Sequence, residues 1–186
     1  MKKEIRKVII FSLVLGILLF ILRIFICKPA SLYGFYSAIS EIISVTLFLL
    51  FIYVKYLWIF NPLEKLPKLK KKYNGIIKYK KNENIMEKKI KVFIKQTLLN
   101  ISIKIKTDEM NSISLNGYIV LENEEYILYY TYITNPKSEF SQNNPIQYGT
   151  CRLTIDSVLK FNGNYWNSRG NIGDIYLNME DPHAQP

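Results

Sequence analysis

The sequence predicts two N-terminal transmembrane α-helices followed by an all-β domain, a roughly eight-stranded antiparallel barrel. Two long apolar stretches fill the first third of the chain, alternating apolar and polar residues dominate the remainder, and cations cluster around the apolar stretches. We expect a helical hairpin in residues 1–60, a basic interfacial linker in 61–72, a barrel in 73–180 and a short tail in 181–186.

The first apolar stretch covers residues 8–26 and carries one charge near its end. At 1.5 Å per residue its 19 residues extend about 28 Å, close to the thickness of the hydrocarbon core of a bilayer. The competing interpretation is a signal peptide, which requires a cleavage site of small residues. The segment from Cys27 to Ser31 fits such a site poorly, and a second apolar stretch follows, which favours a retained span.

The second apolar stretch covers residues 37–60, with Glu41 near its start and Lys55 near its end. Its aromatic residues Tyr53, Tyr56 and Trp58 are typical of a helix leaving the bilayer. Arg23 and Glu41 are predicted at similar depth in an antiparallel hairpin, and an ionisable pair in a span is a functional candidate. Either the pair helps hairpins assemble, or both side chains extend to the outer interface.

The positive charge is concentrated near the membrane. Residues 1–72 contain 12 Lys and Arg against 3 Asp and Glu, whereas residues 73–186 contain 13 against 12. The positive-inside rule predicts a multi-pass membrane protein with both termini in the cytoplasm. Phospholipid headgroups account for the basic excess, so we expect no polymeric nucleic acid as partner.

Residues suited to catalysis or metal binding are scarce. Cys27 and Cys151 are far apart in the sequence, and His183 lies in the terminal segment DPHAQP. No nucleophile with a base, no catalytic carboxylate cluster and no metal-ligand spacing is recognisable. We therefore expect neither an enzyme nor a cofactor, and we predict no catalytic residue and no metal site.

The β domain is predicted from alternation of period two, as in Leu99, Ile101, Ile103 and Ile105. A second set that we expect on one face of its strand is Ile113, Leu115, Gly117, Ile119 and Leu121. Turn signals such as NENIME, TDEMN, ENEE and NSRGN separate the alternating segments. A closed barrel would remove the exposed sheet edges of such a meander. The predicted strands lie around residues 73–79, 90–94, 99–106, 113–121, 125–133, 149–156, 158–166 and 173–179.

Two features bear on a ligand. The segment 135–147 is long for a barrel turn and is either a lid over a mouth or surface decoration. Residues 73–106 hold nine Lys and two Glu, which predicts a basic face toward lipid headgroups or an anionic ligand, or simply a solvated surface.

Only two arginines follow residue 72, Arg152 and Arg169. Arg169 lies in NGNYWNSRGNIGDIYL, where glycines alternate with aromatic and small polar residues. Aromatic rings can stack on nucleobases and an arginine can bind phosphate in a bidentate manner, so the segment suits a small nucleotide. Alternatively, it is a structural hairpin with a core Trp and a turn-capping Arg.

Two spans, a basic linker, the segment YNGIIKY and the segment GTCRLTIDSVLKFNGNYWNSRGNIGDIYLNM resemble the CBASS anti-phage membrane effectors. The specific family is the CD-NTase-associated effectors with two transmembrane helices and a β-rich domain. The resemblance implies a cyclic dinucleotide ligand, a location in the bacterial inner (cytoplasmic) membrane, a homo-oligomer on activation, and membrane disruption that kills the infected cell. It also implies the ligand-binding candidates Tyr165, Trp166, Ser168, Arg169 and Arg152.

The alternative is a constitutive membrane-tethered binding or scaffold protein without a nucleotide ligand. A pleckstrin-like version requires a C-terminal helix, and residues 171–186 show no helical pattern. A lipid-carrying barrel with a continuous apolar interior remains compatible with the alternating apolar residues.

Overall fold

The computed structural model describes residues 2–28, 31–81, 84–142 and 144–179, so His183 lies outside the described residues. The chain forms two compact units. One contains the helices together with residues 97–99, and the other contains the strands.

The helical unit contains two helices that are long and apolar enough to cross a membrane. Helix α1 covers Lys2–Cys27 and helix α2 covers Leu32–Lys55. The second helix starts and ends earlier than the predicted segment 37–60, whose last residues, Leu57–Phe60, form a short 3-10 helix. The early start has a local cause, because the Ser31 side chain accepts a hydrogen bond from Gly34 N and caps the helix.

The two helices run antiparallel and touch along their length. Phe11 stacks on Tyr53 with ring centroids 5.2 Å apart, and Phe20 meets Phe35 edge-on at 5.8 Å. Between them, Gly16 faces Thr46, whose Oγ1 is buried without a hydrogen-bond partner. Most other large apolar side chains of both helices are exposed, as expected of surfaces that face lipid.

The predicted β-barrel is confirmed: eight antiparallel strands follow one another around a closed sheet, and β1 pairs with β8. The strands are β1 Lys72–Lys81, β2 Asn84–Gln96, β3 Ile101–Lys106, β4 Met110–Glu122, β5 Glu125–Pro136, β6 Gln147–Ser157, β7 Lys160–Asn167 and β8 Ile172–Met179. Strand β2 begins inside the segment NENIME, which was expected to be a turn.

Alternation sends one side chain in two into the barrel, where they form a continuous core. At the end where β1 begins, this core is closed by Tyr73, which packs on Phe161 at 4.8 Å between ring centroids. The Tyr73 hydroxyl donates to Val158 O at 2.7 Å and accepts from Lys70 N at 2.8 Å, so the buried oxygen is satisfied.

Strand β4 breaks the predicted alternation. A register shift against β5 between Ser114 and Asn116 marks a β-bulge. Ile113 and Leu115 are therefore exposed, whereas Gly117 is buried. The prediction that these apolar residues share one face was wrong, because an extra residue in one strand reverses which side chains point inward.

Candidate ligand-binding site

The barrel contains a cavity of about 440 Å³ at the end opposite to the start of β1. It is surrounded by residues from the β1–β2, β3–β4, β5–β6 and β7–β8 sides of the sheet. Such a volume lies in the range of about 300–1,000 Å³ typical of small-molecule sites. The closed core at the other end makes this a one-ended pocket rather than a pore.

The floor of the cavity is apolar because the alternation of the core continues up to it. Ile77, Ile105, Cys151 and Ile175 line this part. Burial raises the pKa of the Cys151 thiol to about 12, so the thiol is neutral at physiological pH.

Three tyrosines stand above the floor: Tyr79, Tyr132 and Tyr165. Burial raises the pKa of Tyr165 to about 12 and raises the pKa of Tyr132 well above its ordinary value. The hydroxyls of Tyr132 and Tyr165 are therefore neutral groups that donate and accept hydrogen bonds, and all three rings offer flat apolar faces.

The charges of the cavity favour an anion. Among the described residues that line it, Lys80, Lys88 and Arg169 are cationic and Glu109 is anionic, which gives a net charge of +2. Lys88 Nζ lies 2.6 Å from Glu109 Oε2, with the lysine side chain 22% and the glutamate side chain 33% exposed. A cleft with one predominant sign of charge concentrates ligands of the opposite sign.

Neutral polar side chains complete the lining. Ser112 Oγ and Thr134 Oγ1 lie 2.9 Å apart, and Asn167 Nδ2 donates to Gln147 Oε1 at 2.6 Å. Ser112 and Thr134 come from adjacent strands at the same register position. A mouth with several amides and hydroxyls beside tyrosine rings can hydrogen-bond to polar edges and stack on planar groups.

Arg169 is held at the mouth by an ordered β7–β8 turn. Asn167 Oδ1 accepts from Arg169 N and from Asn171 N, both at 3.0 Å, in the manner of an Asx turn. Gly170 has φ +76°, a conformation that favours glycine. The sequence NSRGN therefore fixes the backbone that carries the arginine.

The structure brings two of the five predicted ligand residues to the cavity, Tyr165 and Arg169. Trp166 follows Tyr165 on β7, and its side chain is 44% exposed. It points outward because neighbouring residues on a strand face opposite sides. Ser168 Oγ accepts a hydrogen bond from Tyr148 N at 3.3 Å, so this serine ties the turn to β6.

Arg152 lies on the outer wall, away from the cavity lining. Its Nε donates to the Tyr129 hydroxyl at 2.9 Å, its Nη2 lies 3.4 Å from Glu122 Oε2, and its guanidinium lies over the Tyr129 ring. Carboxylate and aromatic partners already occupy the fork of this arginine. The ligand role of all five residues stays a prediction.

The sequence reasoning missed Lys88, Glu109 and the tyrosines other than Tyr165. One signal was present: Lys88 has the same parity as Ile90, Val92 and Ile94, so it belongs to the inward face of β2. Glu109 gave no such signal, because a turn residue has no strand parity.

The long β5–β6 connection lies at this mouth. It contains the 3-10 helix Ser138–Phe140, and Asn144 lines the cavity. Asn144 N donates to Phe140 O at 2.9 Å, which folds the segment on itself. The segment therefore borders the mouth through Asn144, and its role as a lid or as surface decoration stays a prediction.

In the helical unit, Arg23 Nε donates to Glu41 Oε2 at 2.8 Å. The two predicted membrane charges therefore meet within one chain. Both side chains are partly exposed, at 31% and 51%.

Comparison with known proteins connects these units with one family. Residues 64–179 match the family described as Cap15, cyclic dinucleotide receptor domain. The chain is 34% identical over 164 residues to CD-NTase-associated protein 15 of Staphylococcus schleiferi, covering 87% of this chain and 89% of that protein. A redesigned β-barrel of known structure is 12% identical with a TM-score of 0.45, covering 62% of this chain and 92% of that one.

Proposed function

Because the chain belongs to the Cap15 family of CBASS effectors with a cyclic dinucleotide receptor domain, we propose that the cavity at the barrel mouth is the cyclic dinucleotide site. Binding there would cause protomers to oligomerise and their helices to disrupt the inner membrane. The observation that carries the proposal is the cavity itself, with its net charge of +2.

The chemistry of the ligand matches the lining. A cyclic dinucleotide carries two phosphodiester charges and two flat bases. Lys80, Lys88 and Arg169 can neutralise the phosphates, and the rings of Tyr79, Tyr132 and Tyr165 are suited to stack on bases. The hydroxyls and amides around the mouth can bond to base edges.

The helices supply the membrane part of the proposal. Candidate spans of 23 and 24 residues extend about 35 Å each, enough to cross the hydrocarbon core. Basic residues precede the first span and follow the second, so both termini and the barrel belong in the cytoplasm. The barrel then meets a second messenger made in the same compartment.

The test uses the full chain in detergent micelles. Calorimetric titration with cyclic di-AMP, cyclic di-GMP and cyclic GMP–AMP should show binding of at least one of them. Arg169→Ala should weaken the affinity for that ligand about tenfold or more, because a charge-assisted phosphate contact is lost.

Arg152→Ala is the matched control, since it removes the same charge and fork from the outer wall of the barrel. Its dissociation constant should stay within about twofold of the unmodified protein, because screened charges at a distance contribute little. Equal losses for both variants, or no binding by the unmodified chain, would count against the proposed site.

A further inference from the structure

The ion pair between Lys88 and Glu109 stands at the mouth of the cavity, and both residues line it. Lys88 is the residue where the inward face of β2 changes from the apolar Ile90, Val92 and Ile94 to a charge. A lysine projecting from the wall into an anion-attracting pocket is suited to bind a phosphate. The carboxylate of Glu109 occupies that position in this structure.

The backbone of Glu109 is held by hydrogen bonds at both its N–H and its carbonyl oxygen. The turn that carries it is closed by Thr107, whose Oγ1 accepts from Glu109 N at 3.3 Å and from Met110 N at 3.0 Å. Glu109 O in turn accepts from Lys137 N at 2.9 Å, at the start of the β5–β6 connection. The fold therefore holds the backbone of Glu109 near Lys88, and the ion pair places its carboxylate on the lysine.

We propose that Glu109 is an internal competitor of the ligand phosphate for Lys88, so that this ion pair sets the ligand concentration at which the receptor becomes occupied. The inference rests on the proposed function and concerns the regulation of that same site. An incoming phosphate must displace a carboxylate from the lysine, and it does so while facing the negative charge of Glu109. The pair raises the dissociation constant and protects the cell from activation by traces of ligand.

The strength of the Lys88–Glu109 ion pair suits such a threshold. At 2.6 Å, with side chains 22% and 33% exposed, the pair is close and partly shielded, yet open to the cavity. A fully buried pair would resist exchange, and a fully exposed pair would contribute almost nothing. A divalent ligand whose second phosphate meets Lys80 or Arg169 has the additional attraction needed to replace a single carboxylate.

The experiment is calorimetric titration of the full chain in micelles with the same three cyclic dinucleotides. Glu109→Gln removes the competing charge with little change of shape and should lower the dissociation constant about fivefold. Glu109→Asp keeps the negative charge on a shorter side chain that reaches Lys88 less well. Its dissociation constant should lie between those of the unmodified chain and Glu109→Gln.

The matched control is Glu87→Gln. Glu87 precedes Lys88 on β2 and pairs with Lys78, with both side chains about half exposed. This variant changes the net charge by the same amount, so its affinity should remain within about twofold of the unmodified chain. A melting temperature measured without ligand verifies that each variant is folded.

The outcomes separate the two proposals. If the unmodified chain binds a probe and Glu109→Gln binds it equally tightly, the proposal that Glu109 competes with the ligand is overturned, while the proposed function stands. Weaker binding by Glu109→Gln would likewise overturn it, because the carboxylate would then be a ligand contact for a base. If neither protein binds any of the three probes, the proposed function itself fails.

Discussion

Single positions on a strand decide which side chains line the candidate site. Tyr165 and Trp166 are adjacent and both aromatic, yet Tyr165 lines the cavity while Trp166 is 44% exposed on the outer wall. Arg152 and Arg169 differ in the same way, since one has its partners outside the barrel and the other is carried by a turn at the mouth. Residue type and the family resemblance made all four ligand candidates, whereas orientation separates them.

A buried thiol makes the stability of the barrel sensitive to alkaline pH. Burial raises the pKa of Cys151 from 9.0 to about 12, so the unfolded chain loses this proton first as the pH rises. Unfolding should become easier between about pH 9 and pH 12. In Cys151→Ala the free energy of unfolding should decline less steeply with pH than in the unmodified chain. The difference between the two slopes should be at most about 1.4 kcal/mol per pH unit, the contribution of one proton.

Denaturant unfolding of the full chain in micelles, followed by circular dichroism, measures this decline. Cys27→Ala is the matched control, because Cys27 is exposed and lies outside the barrel. The slope of Cys27→Ala should equal that of the unmodified chain. The tyrosines of the barrel also become harder to ionise on burial, so some decline will remain in Cys151→Ala. Identical slopes in all three proteins would refute the assignment.

At the scale of elements, the barrel depends on the pairing of its first and last strands. Gly75 in β1 lies opposite Leu177 in β8. A Cβ on Gly75 would lie 2.4 Å from Tyr176 O and 2.5 Å from Leu177 Cδ2. Closure of the sheet therefore requires a residue without a side chain at this position.

Gly75→Ala should lower the free energy of unfolding by about 1–3 kcal/mol, since the backbone of β8 must shift to admit a methyl group. Asn74→Ala, at the neighbouring exposed position, should change it by no more than about 0.5 kcal/mol. The comparison is made by denaturant titration of both variants. A Gly75→Ala protein as stable as Asn74→Ala would show that the β1–β8 seam has more room than the structure indicates.

At the scale of the whole molecule, the positive charge occurs in two separate places, around the helices and inside the barrel cavity. The helices and linker hold nearly all of the excess positive charge, while the barrel is close to neutral overall and keeps a local charge of +2 inside its cavity. The first excess suits topology and headgroup contact, and the second suits a small anion. One net charge computed for the entire chain would obscure both.

The Arg23–Glu41 pair allows a test of the proposed membrane disruption. We expect the single variants Arg23→Glu and Glu41→Arg to lose most ligand-dependent activity, because each places two like charges together in or near the bilayer. The doubly exchanged protein, Arg23→Glu with Glu41→Arg, should recover it. This activity is measured as the release of a dye from vesicles that contain the full chain, after addition of a cyclic dinucleotide that the unmodified chain binds.

If both charges simply extend to the outer interface, the single variants will release dye as fast as the unmodified chain. Ligand affinity of each variant, measured separately in micelles, separates a failure of the helices from a failure of the receptor. An exchanged protein that stays as inactive as the single variants would show that the pair does more than neutralise charge.

Regular patterns were predictable from the sequence, and departures from them were not. Period-two alternation predicted the strand meander, and the inward parity of Lys88 was readable from Ile90, Val92 and Ile94. The bulge in β4 was not predictable, because nothing in the local sequence distinguishes Leu115 from the other apolar residues of the alternation. The bulge places Ser112 on the cavity side of the strand.

The sequence by itself determined two apolar spans, a basic linker and a closed barrel, because hydropathy and periodicity act locally along the chain. Only the tertiary structure decided that the barrel has a one-ended cavity, the candidate site, and that Lys88 meets Glu109 in it. Lys88 and Glu109 are 21 positions apart, and their meeting depends on the β2–β3 register, which pairs Lys91 with Lys106, and on the geometry of the β3–β4 turn. Contacts of that kind arise when the barrel closes, and no single segment encodes them.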